Sequence, residues 1–248
     1  MFNYKMTIAY DGSKYKGWQR LGTTDKTIQG KIESTLTKLL EKKVEIYGSS
    51  RTDAGVHARG QIANFKFPEP LDCEPLVEDI NKYLPEDIKI LDMIEASDDF
   101  HCRYNASGKI YAYQIWNGGK PDPFLRNYFA HVSEPLDINV MRKAANDFVG
   151  EHDFTTFTSA KAKKKSMVRT VTGINIDQEG ERIFIRVSGQ GFLHNQVRRM
   201  VGVLIDIGAG KRSADIVPAL IASKDRAKCG TTAPAQGLFL DKVKYENF

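Results

Sequence analysis

The order of apolar patterns along the chain constrains the fold more than any other feature. Apolar residues alternate with polar ones in some segments, as in strands, and recur every three or four residues in others, as in helices. In the first half these patterns predict elements in the order βαββαβ. The predicted strands lie at 4–10, 44–49, 61–67 and 88–95. The predicted helices lie at 27–42 and from about residue 72 onward.

The second half repeats this order and adds one helix. Its predicted elements lie at 109–117, 137–149, 169–177, 182–188, 197–207, 213–223 for the added helix, and 238–245. Two consecutive βαββαβ patterns predict an α+β fold of two ferredoxin-like units, with largely antiparallel sheets side by side and helices packed on them. We expect domains at 1–104 and 105–248, with a ligand cleft between the units.

Composition favours a soluble protein with a well-formed core. The chain has 248 residues, of which 41% are apolar, and no apolar run approaches the roughly 18 residues that a membrane span needs. The N-terminal stretch lacks the apolar centre of a signal peptide, so we expect a cytoplasmic protein without a membrane anchor. Three distant cysteines predict neither a disulfide framework nor a zinc site.

Charge is distributed unevenly along the chain. The net charge is +5, but residues 69–99 hold eleven carboxylates and two lysines, a balance of −9, which leaves +14 for the rest. The richest basic run, Lys161 to Lys165, fits either a solvated loop or a contact with phosphate. We expect the acidic segment to face away from the ligand cleft, and Arg51, Lys109, Arg198 and the basic run to border it.

A short loop at 48–58, GSSRTDAGVHA, concentrates candidate catalytic groups between two predicted strands. Such a loop can present a carboxylate to a sugar, although Asp followed by Ala-Gly also shapes turns. His57 fits a structural role better than a metal site, because only Asp53 accompanies it as a second ligand. No GxxxxGKS, HExxH or GxSxG motif occurs, so nucleotide hydrolysis, zinc proteolysis and serine hydrolysis lack support.

Five segments together resemble the TruA-type tRNA pseudouridine synthases. RTDAGVHA at 51–58 is similar to the catalytic motif of that family, and YDGSKYKGWQR at 10–20 to its N-terminal signature. The central and C-terminal signatures are matched by DDFHCRYNASGKIYAYQIWN at 98–117 and GQGFLHNQVRRMVGVLIDIGAG at 189–210, and AQGLFLDKVKY closes the chain. The resemblance covers essentially the whole sequence.

The resemblance implies an isomerase that converts uridine to pseudouridine in the anticodon arm of tRNA, at positions 38, 39 and 40. The base leaves C1′ of the ribose, rotates and reattaches through C5. This rearrangement involves no net water, phosphate or redox change, so no cofactor and no metal are expected. The family also implies a homodimer.

The same resemblance implies roles for individual residues. Asp53 is the catalytic nucleophile, although attack at C1′, removal of a sugar proton and addition to the base all stay open. Arg198 is its basic partner, while Arg199 fits a surface or phosphate-binding role. The remaining substrate-binding candidates are Tyr111 against the flipped uracil, Leu238 as an apolar wall or an ordinary core residue, and Arg51 on the RNA backbone or bracing the loop.

Three other functions remain as alternatives. The first is a related synthase that modifies another tRNA site or ribosomal RNA, since Lys109 and Asn64 depart from the residues common in the family. A second is an RNA-binding protein without activity, which the set of Asp53, Arg198 and Tyr111 disfavours. The third, a glycosidase, lacks the second carboxylate that such enzymes position.

Overall fold

Strand β1 (Phe2–Tyr10) forms the centre of the first unit. The computed structural model describes residues 1–159 and 166–246. Within β1, Tyr4, Met6 and Ile8 are fully buried and alternate with half-exposed residues, which is the alternation expected of a strand with one face on a core.

The first unit continues with two helices and three further strands. They are α1 (Ile28–Leu39), β2 (Tyr47–Gly48), β3 (His57–Phe67), α2 (Cys73–Tyr83) and β4 (Ile88–Ala96). β1 lies between β4 and β3 in antiparallel pairing, and β2 adds to β3. α1 begins where Thr27 Oγ1 accepts the Gly30 N–H, and it buries Ile28, Ile32 and Leu36 along one face.

The strand predicted at 44–49 shrinks to the two residues of β2. Val44 and Ile46 are buried as the pattern indicated, but α1 side chains satisfy their backbone. The Val44 N–H donates to Thr37 Oγ1 over 3.1 Å, and the Ile46 N–H donates to Glu33 Oε1 over 3.0 Å. Because these donors are already paired, the ladder begins only at Tyr47.

The described residues of the second unit form five strands and three α-helices. They are β5 (Gly108–Asn117), β6 (Ala130–Val132), α3 (Ile138–Asn146), β7 (Gly150–Asp153), β8 (Val168–Glu179), β9 (Arg182–Gly189), α4 (Gln196–Gly208) and α5 (Ile216–Ser223). The order β5-β9-β8-β7 is antiparallel, and β6 runs parallel beside β5. The predicted strands and helices are confirmed here, whereas β6 and β7 were not predicted.

The last strand, β10 (Leu238–Lys244), returns to the first unit. It runs parallel to β3, with Phe239 opposite His57. The chain divides into two compact units. Unit 1 comprises Met1–Ser107 and Phe239–Phe248, and unit 2 comprises Gly108–Leu238. This division differs from 1–104 and 105–248 mainly in its C-terminal segment.

The α+β class with mostly antiparallel strands is confirmed. The two-domain division at 104 and the ferredoxin-like arrangement stay predictions. Among the described residues, no helix combines the length and apolar character needed to cross a membrane. The basic run from Lys161 to Lys165 lies outside the described residues.

Candidate active site

The loop between β2 and β3 presents Asp53 from a fixed backbone. The Ser50 N–H donates to Gln61 Oε1, and Gln61 Nε2 donates back to Ser50 O over 2.7 Å. Beyond Asp53, the Val56 N–H donates to the Asp53 carbonyl over 3.1 Å and closes a turn. Asp53 is half-buried and Arg51 is exposed, so a carboxylate and a cation stand two residues apart on a constrained loop.

The N-terminal signature at 10–20 holds the other side of this loop. The Trp18 N–H donates to Thr52 O over 3.0 Å, and the Gly55 N–H donates to Tyr15 O over 3.4 Å. Tyr10 Oη lies 2.7 Å from Thr52 Oγ1. The signature therefore positions the Asp53 loop, a role that sequence reasoning missed because the two segments lie far apart along the chain.

Two glycines of the signature allow this close approach. A Cβ at Gly12 would lie 2.0 Å from the Val56 carbonyl oxygen, and one at Gly17 would lie 2.7 Å from that of Thr52. Gly17 also has φ of +100°, a conformation that residues with a side chain rarely adopt. Both positions require glycine for the loop to stay where it is.

His57 follows the loop as the first residue of β3 and is almost completely buried. Its Nδ1 accepts the Gly12 N–H over 3.0 Å, and its ring stacks on Phe239 at 4.6 Å. These contacts support the structural role expected for His57. Within the described part of the chain, no three His, Cys, Asp or Glu side chains gather into a potential metal site.

Tyr111 and Tyr113 share one face of β5 but have different surroundings. Tyr113 is completely buried and its hydroxyl donates to Pro234 O over 2.8 Å. Burial raises the pKa of this phenol far above its usual range, against a smaller opposing effect of the Arg198 charge. Tyr111 retains 9% exposure and contacts Phe192 edge-on at 5.4 Å. Tyr113 is thus the core tyrosine of the pair.

Arg198 projects from the first turn of α4 with its guanidinium anchored. Its Nε donates to Ala233 O over 2.7 Å and its Nη1 donates to Asn195 Oδ1 over 3.1 Å. The Ala233 N–H in turn donates to Arg198 O. Asn195 has a left-handed backbone with φ of +62°, which asparagine tolerates better than most residues. The anchored guanidinium lies close enough to Tyr113 to influence its pKa.

Arg199, which sequence reasoning favoured for the surface or phosphate, is instead bonded to backbone. Its Nη1 lies within hydrogen-bond distance of the Thr156 and Arg226 carbonyls, at 3.3 and 3.4 Å. The side chain is half-buried. These carbonyls belong to two short 3₁₀ helices that are far apart along the chain. By bonding to both, Arg199 braces the second unit.

Leu238 is 6% exposed at the junction of the two units' sequences. The preceding Gly237 packs on the Tyr113 ring, since a Cβ there would lie 2.8 Å from the ring carbon Cζ. Of the predicted site residues, Arg51 and Asp53 belong to unit 1. Tyr111, Arg198 and Leu238 belong to unit 2, and Arg198 there acts electrostatically on Tyr113, the neighbour of Tyr111 on β5.

Sequence reasoning also missed a group of rings that includes a residue of the strand before the loop. The Tyr47 ring lies 5.4 Å from the His101 ring, and the His101 ring lies 4.3 Å from the Tyr104 ring. Tyr47 stands more than fifty residues from the other two, so no local spacing could reveal the group. The signals in the sequence are that Tyr47 directly precedes the loop at 48–58, which holds Arg51, and that His101 and Tyr104 flank Arg103 in the motif at 98–117.

Comparisons with known proteins agree with the five motifs. The family model described as tRNA pseudouridine synthase matches residues 6–105 and 144–246. The chain is 49% identical over 245 residues to tRNA pseudouridine synthase A 2 of Bacillus cereus (strain ZK / E33L), covering 99% of this chain and 100% of that one. It is 43% identical to tRNA pseudouridine synthase A of Acetivibrio thermocellus, with the same coverage.

Among solved structures, a chain of the crystal structure of a Cbf5-Nop10-Gar1 complex is similar with a TM-score of 0.36 and 15% identity. The match covers 82% of this chain and 45% of that one. The sequence matches span nearly the whole chain and all of each relative. The chain therefore belongs to the tRNA pseudouridine synthase family, as its resemblance to the TruA-type enzymes implied.

Proposed function

We propose that this protein isomerises uridine to pseudouridine in tRNA, with Asp53 as the nucleophile. Membership of the family supports an isomerase of this class. Breaking the bond between the base and C1′ develops positive charge on the sugar. A carboxylate placed at that carbon stabilises the charge and traps the sugar covalently while the base rotates.

The observation that carries the proposal is the way Asp53 is held. The backbone beside it bonds to Trp18 on one side and turns through Val56 on the other, while the side chain stays half-buried rather than packed away. A catalytic group contributes most when its position is fixed before substrate arrives. Turn formation alone would not require a second segment of the chain to clamp this loop.

We further propose that the other candidate residues take the roles at a flipped uridine that the family resemblance implies. Tyr111 offers the less enclosed of the two β5 rings to the uracil, since aromatic faces hold bases that leave the stack. By the resemblance, Arg198 is the basic partner of Asp53, Leu238 forms an apolar wall, and Arg51 contacts the RNA backbone. The repeated βαββαβ order supports two ferredoxin-like units, with domains at 1–104 and 105–248.

The target within tRNA follows from the resemblance alone. The five matched motifs support action on the anticodon arm at positions 38, 39 and 40, by a cytoplasmic homodimer. The uneven charge, with +14 outside residues 69–99, suits a polyanionic substrate.

Replacement of Asp53 by Asn tests the catalytic assignment. Asp53→Asn keeps the shape of the side chain but removes the nucleophilic carboxylate, so we expect pseudouridine formation in a tRNA transcript to be lost while tRNA binding persists. The product is measured by carbodiimide-dependent primer extension stops. Asp92→Asn, an exposed carboxylate on β4, is the matched control and should leave the rate unchanged. Retained activity in Asp53→Asn would refute the assignment.

A further inference from the structure

Three aromatic side chains form a group on unit 1, and one of them, Tyr47, directly precedes the Asp53 loop. Tyr47 lies on β2 and its ring is 5.4 Å from that of His101, which lies 4.3 Å from that of Tyr104. Tyr47 is 54% exposed and Tyr104 is 80% exposed. Large aromatic side chains are usually buried, so two exposed tyrosine rings on one surface indicate a candidate binding site.

His101 is held in a fixed position between the two tyrosines. Its Nδ1 accepts the Arg103 N–H over 3.1 Å, and its backbone N–H donates to Asn105 Oδ1. Burial lowers the pKa of the imidazole, against a smaller opposing effect of a backbone hydrogen bond. The group therefore presents its ring faces in a fixed arrangement.

Two arginines accompany the rings. Burial lowers the pKa of the Arg103 guanidinium, and the nearby positive charge of Arg51 lowers it further. Neither arginine takes part in an ion pair with another residue in the ranges 1–159 and 166–246. Two neighbouring cations without a carboxylate partner favour an anion from outside the protein.

Internal bonds fix the backbone that carries these side chains. Tyr47 pairs with Asn64 across β2 and β3, and Asn64 Oδ1 accepts the Cys102 N–H over 3.0 Å. Cys102 Sγ lies 3.1 Å from Tyr47 O. A surface that is ordered before binding loses less conformational entropy when a ligand arrives.

We propose that this surface, the Tyr104 platform, stacks an unpaired nucleotide of the substrate RNA and holds its phosphate. The platform consists of Tyr47, Arg51, His101, Arg103 and Tyr104. Bases outside a helix are recognised by stacking on aromatic faces together with cations on the backbone. Arg51 and Asp53 are two residues apart, at most about 7 Å of chain. The stacked nucleotide therefore lies within a few nucleotides of the uridine at Asp53.

The inference rests on the proposed function, and its test keeps the two apart. Equilibrium binding to an unmodified tRNA transcript and the single-turnover rate of pseudouridine formation are measured for each variant. Loss of a stacking contact in Tyr104→Ala should weaken binding about 5- to 150-fold. Tyr104→Phe keeps the ring and should bind like the wild type. Tyr83→Ala, which removes a 70% exposed tyrosine from α2, is the matched control.

A fluorescent adenine analogue, placed in turn at each unpaired position near the target uridine, gives a second readout. Stacking on the platform should quench one position in the wild type and in Tyr104→Phe, but not in Tyr104→Ala. Binding by Tyr104→Ala within twofold of the wild type, or an equal loss in Tyr104→Phe, overturns the platform. Absence of pseudouridine formation by the wild type instead overturns the proposed function, and the binding data still decide the platform.

Discussion

Gly17 adopts a backbone conformation on which the position of Asp53 depends. In Gly17→Ala, the new Cβ would sit 2.7 Å from Thr52 O at a φ of +100°, so the Asp53 loop must shift. We expect a loss of about 1–3 kcal/mol in the free energy of unfolding and a fall of about tenfold or more in the single-turnover rate. Urea denaturation and product formation at saturating tRNA measure the two effects.

Gly22→Ala is the control for this substitution. A Cβ at Gly22 meets no atom within 4 Å, and its φ is not in the left-handed region. Stability and rate should match the wild type. If Gly17→Ala were as active as Gly22→Ala, the clamp between the signature and the Asp53 loop would have no bearing on catalysis.

Single residues differ in how much of their role the sequence could reveal. The motif around Asp53 was recognisable because its members are contiguous. Tyr111 and Tyr113 were not separable by alternation, since residues two apart share a face; the structure distinguishes them by burial and by the bond from Tyr113 to Pro234. Arg199 needed the structure too, because its acceptors lie far apart along the chain, at 156 and 226.

At the level of elements, long periodic segments were predictable and short ones were not. β8 and β9 alternate over many residues, whereas β6 and β7 have three and four residues, too few to show a period. The segment at 44–46 was predicted as part of a strand for a different reason. Its apolar pattern correctly predicted buried side chains, but its backbone N–H groups donate to Thr37 and Glu33 of α1 instead of to a neighbouring strand. Such bonds from a helix side chain leave no periodic trace in the sequence.

Glu33→Gln tests whether α1 holds this segment through the carboxylate. Glu33 is almost fully buried. Its Oε1 accepts the Ile46 N–H and Oε2 accepts from Arg20 Nη1 over 2.8 Å. A glutamine has one acceptor oxygen, so either the buried Ile46 N–H or the Arg20 guanidinium loses its partner. We expect unfolding to require about 1–3 kcal/mol less free energy, measured by urea denaturation.

Glu45→Gln provides the comparison for Glu33→Gln. Glu45 also approaches Arg20, at 3.7 Å, but its side chain is 48% exposed. Exposed ion pairs contribute little to stability, so the midpoint of urea denaturation should stay close to that of the wild type. Equal destabilisation by the two substitutions would show that charge near Arg20, rather than the bond to Ile46, matters.

Across the whole molecule, negative charge is concentrated in residues 69–99. Five of its eleven carboxylates lie on α2 and β4, and the other six lie in the segments that flank these elements. In unit 1 β4 is separated by β1 from β3, the strand that follows the Asp53 loop. Asp87, which precedes β4, instead approaches the N-terminal signature, because its carboxylate accepts the Tyr15 hydroxyl. The two carboxylates on β4 are thus displaced from the strand next to Asp53.

This arrangement predicts which charged side chains affect RNA binding. Neutralising both members of an exposed acidic pair on β4, in Asp92→Asn/Glu95→Gln, should change neither tRNA affinity nor its dependence on salt. Arg51→Gln/Arg103→Gln should reduce the slope of log affinity against log salt by about 1.5, because each lost phosphate contact removes about 0.7–0.9. Titrations over a range of KCl concentrations measure both. Tighter binding by the β4 variant would mean that β4 lies against the RNA, contrary to the expectation that the acidic segment faces away from the site.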